Sequence, residues 1–212
     1  MKRIMIQCRS NVKKNAIRRE SINGVEHIIV SSMTMPDNIV MNRGLYPAEE
    51  INKSFHTLER TLAPVEHPSD NDGQFLSASD PEAIHNFHAG AFNMNVEKEG
   101  NRIKVDKYIN VQEAQKTDRG RRLLDRINEL ETSNDPRPIH TSTGIFLEVE
   151  PMGEVMKNDD GLEYDWIARN MVFDHDAILL DSVGAAQPHQ GVGMAVNDDN
   201  EYEVQSFEVN AD

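Results

Sequence analysis

The sequence predicts an α+β domain built on antiparallel sheet. Its segments run in the order strand, helix, hairpin, helix and then two more strands. Alternating apolar and polar residues mark the strand segments, helical spacing marks the two helices, and clusters of Gly, Pro, Asn and Asp punctuate them. No internal repeat is present.

The first strand is "VEHIIVSSM" (25–33), set between Asn23-Gly24 and Pro36-Asp37. In "YPAEEINKSFHTLERTL" (46–62), Ile51, Phe55, Leu58 and Leu62 fall at helical intervals with acids in the first turn, and Pro64 is expected to end that helix. The loop "PVEHPSDNDG" (64–73) follows, rich in residues that favour turns. "AGAFNMNVEKEGNRIKVDKYI" (89–109) has the pattern of a hairpin turning at Glu99-Gly100-Asn101. A second helix is expected over 110–130, where Asn110 and Glu113 have capping-box spacing and Ala114, Leu123, Leu124, Ile127 and Leu130 make the apolar face. After the break "SNDPRP", two strands are expected in "IHTSTGIFLEVEPM" (139–152) and "EYDWIARNMVFDHDAILLD" (163–181), separated by the polar turn "KNDDG".

A chain of 212 residues, 38% of them hydrophobic, suits one domain with a modest core. The mean hydropathy of −0.61 implies a wet surface. No apolar stretch approaches the roughly 20 residues of a membrane span. The basic N-terminus lacks the apolar region of a signal peptide. Cys8 is the single cysteine, so neither an internal disulfide nor a Cys-rich zinc site is expected, and a reducing cytosolic setting fits. A net charge of −14 argues against general nucleic-acid binding. That charge is uneven: the first 20 residues hold seven Lys/Arg and one Glu, while the last 16 hold six acids and no base. The expected organisation is a basic N-terminal segment (1–24), a domain (25–193) and an acidic tail (194–212). The two ends read as solvated tails that also have the charge to dock elsewhere during an assembly.

Three residues suit nucleophilic catalysis. In 139–152, His140, Ser142, Gly144 and Phe146 alternate onto one face, and Gly144 leaves room for something to approach the backbone. A serine hydroxyl becomes a useful nucleophile when a base takes its proton, and an imidazole suits that task once a third group fixes its tautomer. His67 precedes Pro68, which stiffens the loop presenting it. In the last strand Phe173, His175, Ala177 and Leu179 share the core-like face, with Asp174 and Asp176 expected to point away. Local sequence does not assign the roles, and His140 is a rival base because it shares Ser142's face.

The run from about Asn42 to Ala186 resembles the prohead (capsid maturation) proteases of tailed bacteriophages, in the branch related to herpesvirus assemblins. "NRGLYPAEEINKSFHTLERTLAPVEHPSDNDG" resembles that family's approach to a catalytic His-Pro. "TSTGIF" resembles its Ser-x-Gly strand with one extra residue before the aromatic, and "DHDAILLDSVGAA" its second-histidine strand and glycine turn. The resemblance implies an assemblin-like, β-barrel-like antiparallel core with flanking helices. It implies a serine endopeptidase with Ser142 as nucleophile, His67 as general base and His175 as third member, acting without a cofactor. The implied substrates are phage scaffold and major capsid protein segments, and the chain itself, inside the assembling prohead in the host cytoplasm. Self-association is implied too, and Asp212 would be a natural or an autolytic end. Where the family carries Gly-Arg after its second histidine, this chain has Gly184-Ala185. Backbone N–H groups of Gly184 and Ala185 are then the oxyanion candidates, with Arg137 and Arg169 as candidates for the missing cation. With a histidine in the third place, which stabilises an imidazolium less than a carboxylate does, a slow enzyme is expected.

Two other readings remain. His85 and His88 in "IHNFHAG" stand three apart and, with His67, would make a metal-dependent hydrolase. Alternatively the domain is a catalytically inactive, protease-like scaffold or structural component of the capsid.

Overall fold

The structure is a computed structural model that describes residues 3–9, 16–182, 192–194 and 203–209, the first and last of these runs as backbone alone. The strands are β1 (Arg3–Arg9), β2 (Ile17–Ile22), β3 (Val25–Pro36), β4 (Ile39–Met41), β5 (Gly44–Tyr46), β6 (Ala91–Glu99), β7 (Arg102–Asn110), β8 (His140–Lys157), β9 (Glu163–Leu179), β10 (Gly193–Met194) and β11 (Glu203–Val209). The helices are α1 (Ala48–Ser54), which runs into a 3₁₀ turn at Phe55–Leu58, α2 (Pro81–Phe87), α3 (Val111–Ala114) and α4 (Asp118–Thr132).

The fold is mixed α+β with two main sheets. One runs β10-β3-β7-β6 with β2 also on β3, and the other runs β4-β5-β9-β8; every pairing is antiparallel except β5 with β9. β2 therefore joins residues 17–22 to the sheet that the sequence reading began at residue 25. A separate two-stranded sheet pairs β1 with β11, from the basic and acidic ends.

Among the described residues the expected barrel-like closure is absent, and an irregular segment runs between the two sheets where a closing ladder would stand. Residues 60–63 line the edge of β6: the Arg60 N–H donates to Asn93 O at 2.8 Å and the Ala63 N–H to Ala91 O at 3.1 Å. Residues 64–66 then cross to β9, where the Ile178 N–H donates to Pro64 O at 2.8 Å and the Glu66 N–H to Ile178 O at 3.0 Å. A regular strand cannot run through this seam. Arg60 and Glu66 have φ of 64° and 65°, and Pro64 has no N–H to give a ladder. The same seam corrects the first helix. Leu62 pairs in a bridge with Phe92 instead of completing a helix to Pro64.

The second helix also divides. Asn110 caps α3 by accepting from the Glu113 N–H at 3.0 Å, and Thr117 caps α4 by accepting from the Gly120 N–H at 3.0 Å. Gly120 lies so close to α3 that an added Cβ would stand 2.6 Å from the Ala114 Cα. The expected hairpin is present as β6–β7, with Gly100 at φ 59° in its turn.

Two apolar clusters form the core. In one, Ile28, Val30 and Ile109 pack with Leu123, Ile127 and Leu130 of α4. In the other, Ile103 and Val105 pack with Ile51, Leu58, Met171 and Phe173, between the sheets. β7 supplies both clusters from a single face, and Lys107 lies on that face between Val105 and Ile109. Lys107 is fully buried, and its ammonium donates to Asn93 Oδ1 at 2.6 Å, Asp176 O at 2.9 Å and Asp176 Oδ2 at 2.5 Å. Asp176 Oδ1 accepts from Thr34 and Thr143 at 3.1 and 3.2 Å. Burial pushes the Lys107 ammonium pKa down, and Asp176 opposes that shift. This satisfied ion pair ties β7 to β9 directly behind Ser142 and His175.

Candidate active site

The β8–β9 register decides which side chains meet. Ser142 lies opposite Ala177, Thr143 opposite Asp176 and Gly144 opposite His175, but Ile145 lies opposite Phe173. Asp174 is thus the extra residue of a β-bulge, which re-aims the side chains on either side of it. Paired residues share a face, so Phe173 turns into the core with Ile145 while His175 shares the other face with Gly144 and Ser142. The expected common face for Phe173 and His175 is therefore broken at Asp174. Asp176, expected to point away from the core, faces inward to Lys107.

Gly144 is the seat of His175. A Cβ there would overlap the imidazole, with both ring nitrogens 2.7 Å away. Gly144→Ala is expected to displace the ring, costing about 1–3 kcal/mol of stability. It should also lower any Ser142-dependent turnover by at least about 10²-fold, the usual cost of misplacing a catalytic group by about 1 Å. Urea denaturation and cleavage assays on the same variant check both effects.

His67 is delivered by the seam along β9. Glu66 anchors it: its carboxylate accepts from the Leu180 N–H at 3.0 Å and from Ser182 Oγ at 2.7 Å. Beyond Pro68 the loop closes on itself, with the Leu76 N–H donating to Pro68 O at 3.0 Å, and Phe75 lies edge-on to the His67 ring at 5.8 Å.

The two imidazoles meet. His67 Nδ1 and His175 Nε2 are 2.8 Å apart, and His175 Nδ1 lies 2.7 Å from Asp174 Oδ2. Asp174 is held in turn by Ser77 Oγ, which donates to Oδ1 at 2.5 Å, and by the Ala78 N–H, which donates to Oδ2 at 2.8 Å. Burial works against the Asp174 carboxylate, but the hydrogen bonds from His175, Ser77 and Ala78 outweigh it and hold its pKa below the usual value. Burial pushes the His67 pKa below its ordinary value; His175 adds to that shift, and Asp176 and Glu66 oppose it.

Ser142, His67, His175 and Asp174 line one cleft of about 390 Å³. Its other walls include Met35, Met41, Tyr46, Ile145, Leu147 and Val192, and among the described residues no Lys or Arg lines it.

The remaining candidates are elsewhere. His140 does not line the cleft; burial lowers its pKa, and its Nδ1 is buried without a partner among the described residues. Arg137 is paired with Glu129 at 2.6 Å and Arg169 with Glu150 and Glu49 at 2.5 and 2.9 Å. Neither arginine lines the cleft, so neither supplies the missing cation there. Gly184 and Ala185 lie outside the described residues. His85 is exposed on α2, and His88, at the end of that helix, stacks edge-on to Phe92 at 5.3 Å. His67 is engaged by His175 instead, and among the described residues no group of three or more His, Cys, Asp or Glu is placed to hold a metal ion.

Sequence reasoning missed Asp174 as a partner of His175, and also Ser77. The signal for Asp174 was its adjacency to His175, masked by the assumption of unbroken alternation. Nothing in the local sequence of Ser77 marked it.

No family model matches the chain, and no curated protein is similar to it at a significant level. Among solved structures, the chain is similar to the capsid assembly protease of bacteriophage T4, gp21. That likeness has a TM-score of 0.46 and 12% sequence identity, and covers 84% of this chain and 98% of the other.

Proposed function

We propose that the chain is a serine endopeptidase with Ser142 as nucleophile and His67 as general base, and that it matures a phage prohead by cleaving scaffold or capsid-protein segments and itself. The observation that carries the reading is the 2.8 Å contact of His67 Nδ1 with His175 Nε2 in the cleft that Ser142 lines. It engages one His67 nitrogen and leaves Nε2 as the nitrogen that serves the serine. In this reading Nε2 takes the Ser142 proton as the hydroxyl oxygen attacks the scissile carbonyl, and returns it to the leaving amine. His175 holds the ring and accepts the Nδ1 proton's hydrogen bond. The apolar part of the wall, Met35, Met41, Ile145, Leu147 and Val192, favours a substrate with apolar side chains in the cleft. The capsid setting rests on the order and spacing of the "VEHPSD", "TSTGIF" and "DHDAILLD" segments.

A library of peptides from digested protein tests this. New termini are expected with the wild-type chain, enriched in apolar residues near the cut and absent with Ser142→Ala. The base must be neutral to act, so kcat/KM should rise with pH through the His67 pKa. Because burial lowers that pKa, the acid limb should lie below the ordinary histidine value of about 6.5. An acid limb above it would contradict the assignment of His67 as base.

A further inference from the structure

We infer that Asp174 is a positioning residue of this site, so that the relay has four members, Asp174–His175–His67–Ser142, and ends on a carboxylate. The inference rests on the endopeptidase reading for its effect on rate.

Hydrogen bonding fixes the direction of the chain. Both Asp174 oxygens already accept, Oδ1 from Ser77 Oγ and Oδ2 from the Ala78 N–H. An ionised carboxylate only accepts, so the proton between Asp174 Oδ2 and His175 Nδ1 belongs to the imidazole. A neutral His175 protonated on Nδ1 has a bare Nε2, which must accept from His67 Nδ1–H across the 2.8 Å contact. A neutral His67 protonated on Nδ1 then has a bare Nε2, on a side chain that lines the cleft with Ser142. One carboxylate thereby sets both tautomers and leaves the last nitrogen able to accept a proton. When His67 becomes cationic, the charge is stabilised by His175, and His175 is polarised by Asp174.

The bulge is what makes this possible. In an unbroken strand Asp174 and His175 would point to opposite faces. As the unpaired residue of the β8–β9 register, Asp174 folds back onto its neighbour's ring. Ser77 and Ala78, far away in sequence, hold it there from the loop before α2.

Asp174→Asn in the full chain is the test. Its kcat/KM for Ser142-dependent cleavage should fall about 10- to 100-fold with KM little changed. That is less than the roughly 10⁴-fold cost where a carboxylate touches the base directly, because one imidazole intervenes. Losing the negative charge should also lower the apparent pKa of the His67–His175 pair in an NMR titration with labelled histidine. The charged groups bearing on that pair are Asp174, Asp176 and Glu66, and the last two are unchanged in the variant. In a His175→Ala background, Asp174→Asn should cost nothing further.

Wild-type rate and pKa in Asp174→Asn would overturn the inference, as would an equal loss in the His175→Ala background. If Asp174→Asn does not fold, Ser77→Ala decides. Removing that donor leaves the carboxylate more basic, so the pair's pKa should move up, and an unchanged value would overturn the proposal. A wild-type chain without Ser142-dependent cleavage would contradict the endopeptidase reading instead, while the titration still reports whether Asp174 governs the pair.

Discussion

Ser142→Ala is expected to lower kcat for peptide cleavage by about 10⁶-fold, and His67→Ala to cost nearly as much. The double variant should be hardly worse than either single one. Nucleophile and base act as a unit, so once the attack is lost, removing the second member takes away little more. Additive losses would mean that the two side chains work independently, which the shared cleft argues against. His140→Ala is the matching control. It does not line the cleft, so cleavage per folded molecule should be close to wild type. Rates measured on one peptide for the wild type and all four variants decide between these outcomes.

Lys107→Met is expected to cost about 3–5 kcal/mol of folding stability. The substitution nearly conserves volume, so packing is not the main loss. The cost is Asp176, left without its cationic partner where both side chains of the pair are fully buried. Total stability of a domain this size is about 5–15 kcal/mol, so the variant would stand near its unfolding limit. Urea unfolding checks the figure. Lys107→Met/Asp176→Leu should recover much of the loss, because removing both charges also removes the desolvation cost of each. A loss below about 1 kcal/mol in Lys107→Met would mean that the pair is not closed to water as it stands here. The pair also bears on the site, since Asp176 and Thr143 are the sequence neighbours of His175 and Ser142 and are joined at 3.2 Å.

What the sequence made legible was local. Gly100 between two alternating segments was enough for the β6–β7 hairpin, and the turn "KNDDG" between two long alternations was enough for β8 and β9. His67, Ser142 and His175 are ordinary by local sequence and stand out through the resemblance of their segments to a protease family, and the structure places all three on one cleft. What stayed hidden depends on partners distant in the chain. Lys107 occupies an apolar position in the alternation Ile103, Val105, Lys107 and Ile109, and its partner lies 69 residues away. Asp174 looked solvent-facing because period-2 counting has no place for a bulge. The helix expected over 46–62 was truncated because β6 and β9 both compete for the backbone of residues 60–66, a pull that no window on that segment contains.

The central claim is that Ser142 is an activated nucleophile, and a fluorophosphonate probe tests it without knowledge of the natural substrate. The account predicts a single covalent adduct by intact mass, mapped to Ser142, absent in Ser142→Ala and slowed strongly in His67→Ala. A folded wild-type chain that gains no adduct, or gains one at another residue, would contradict it.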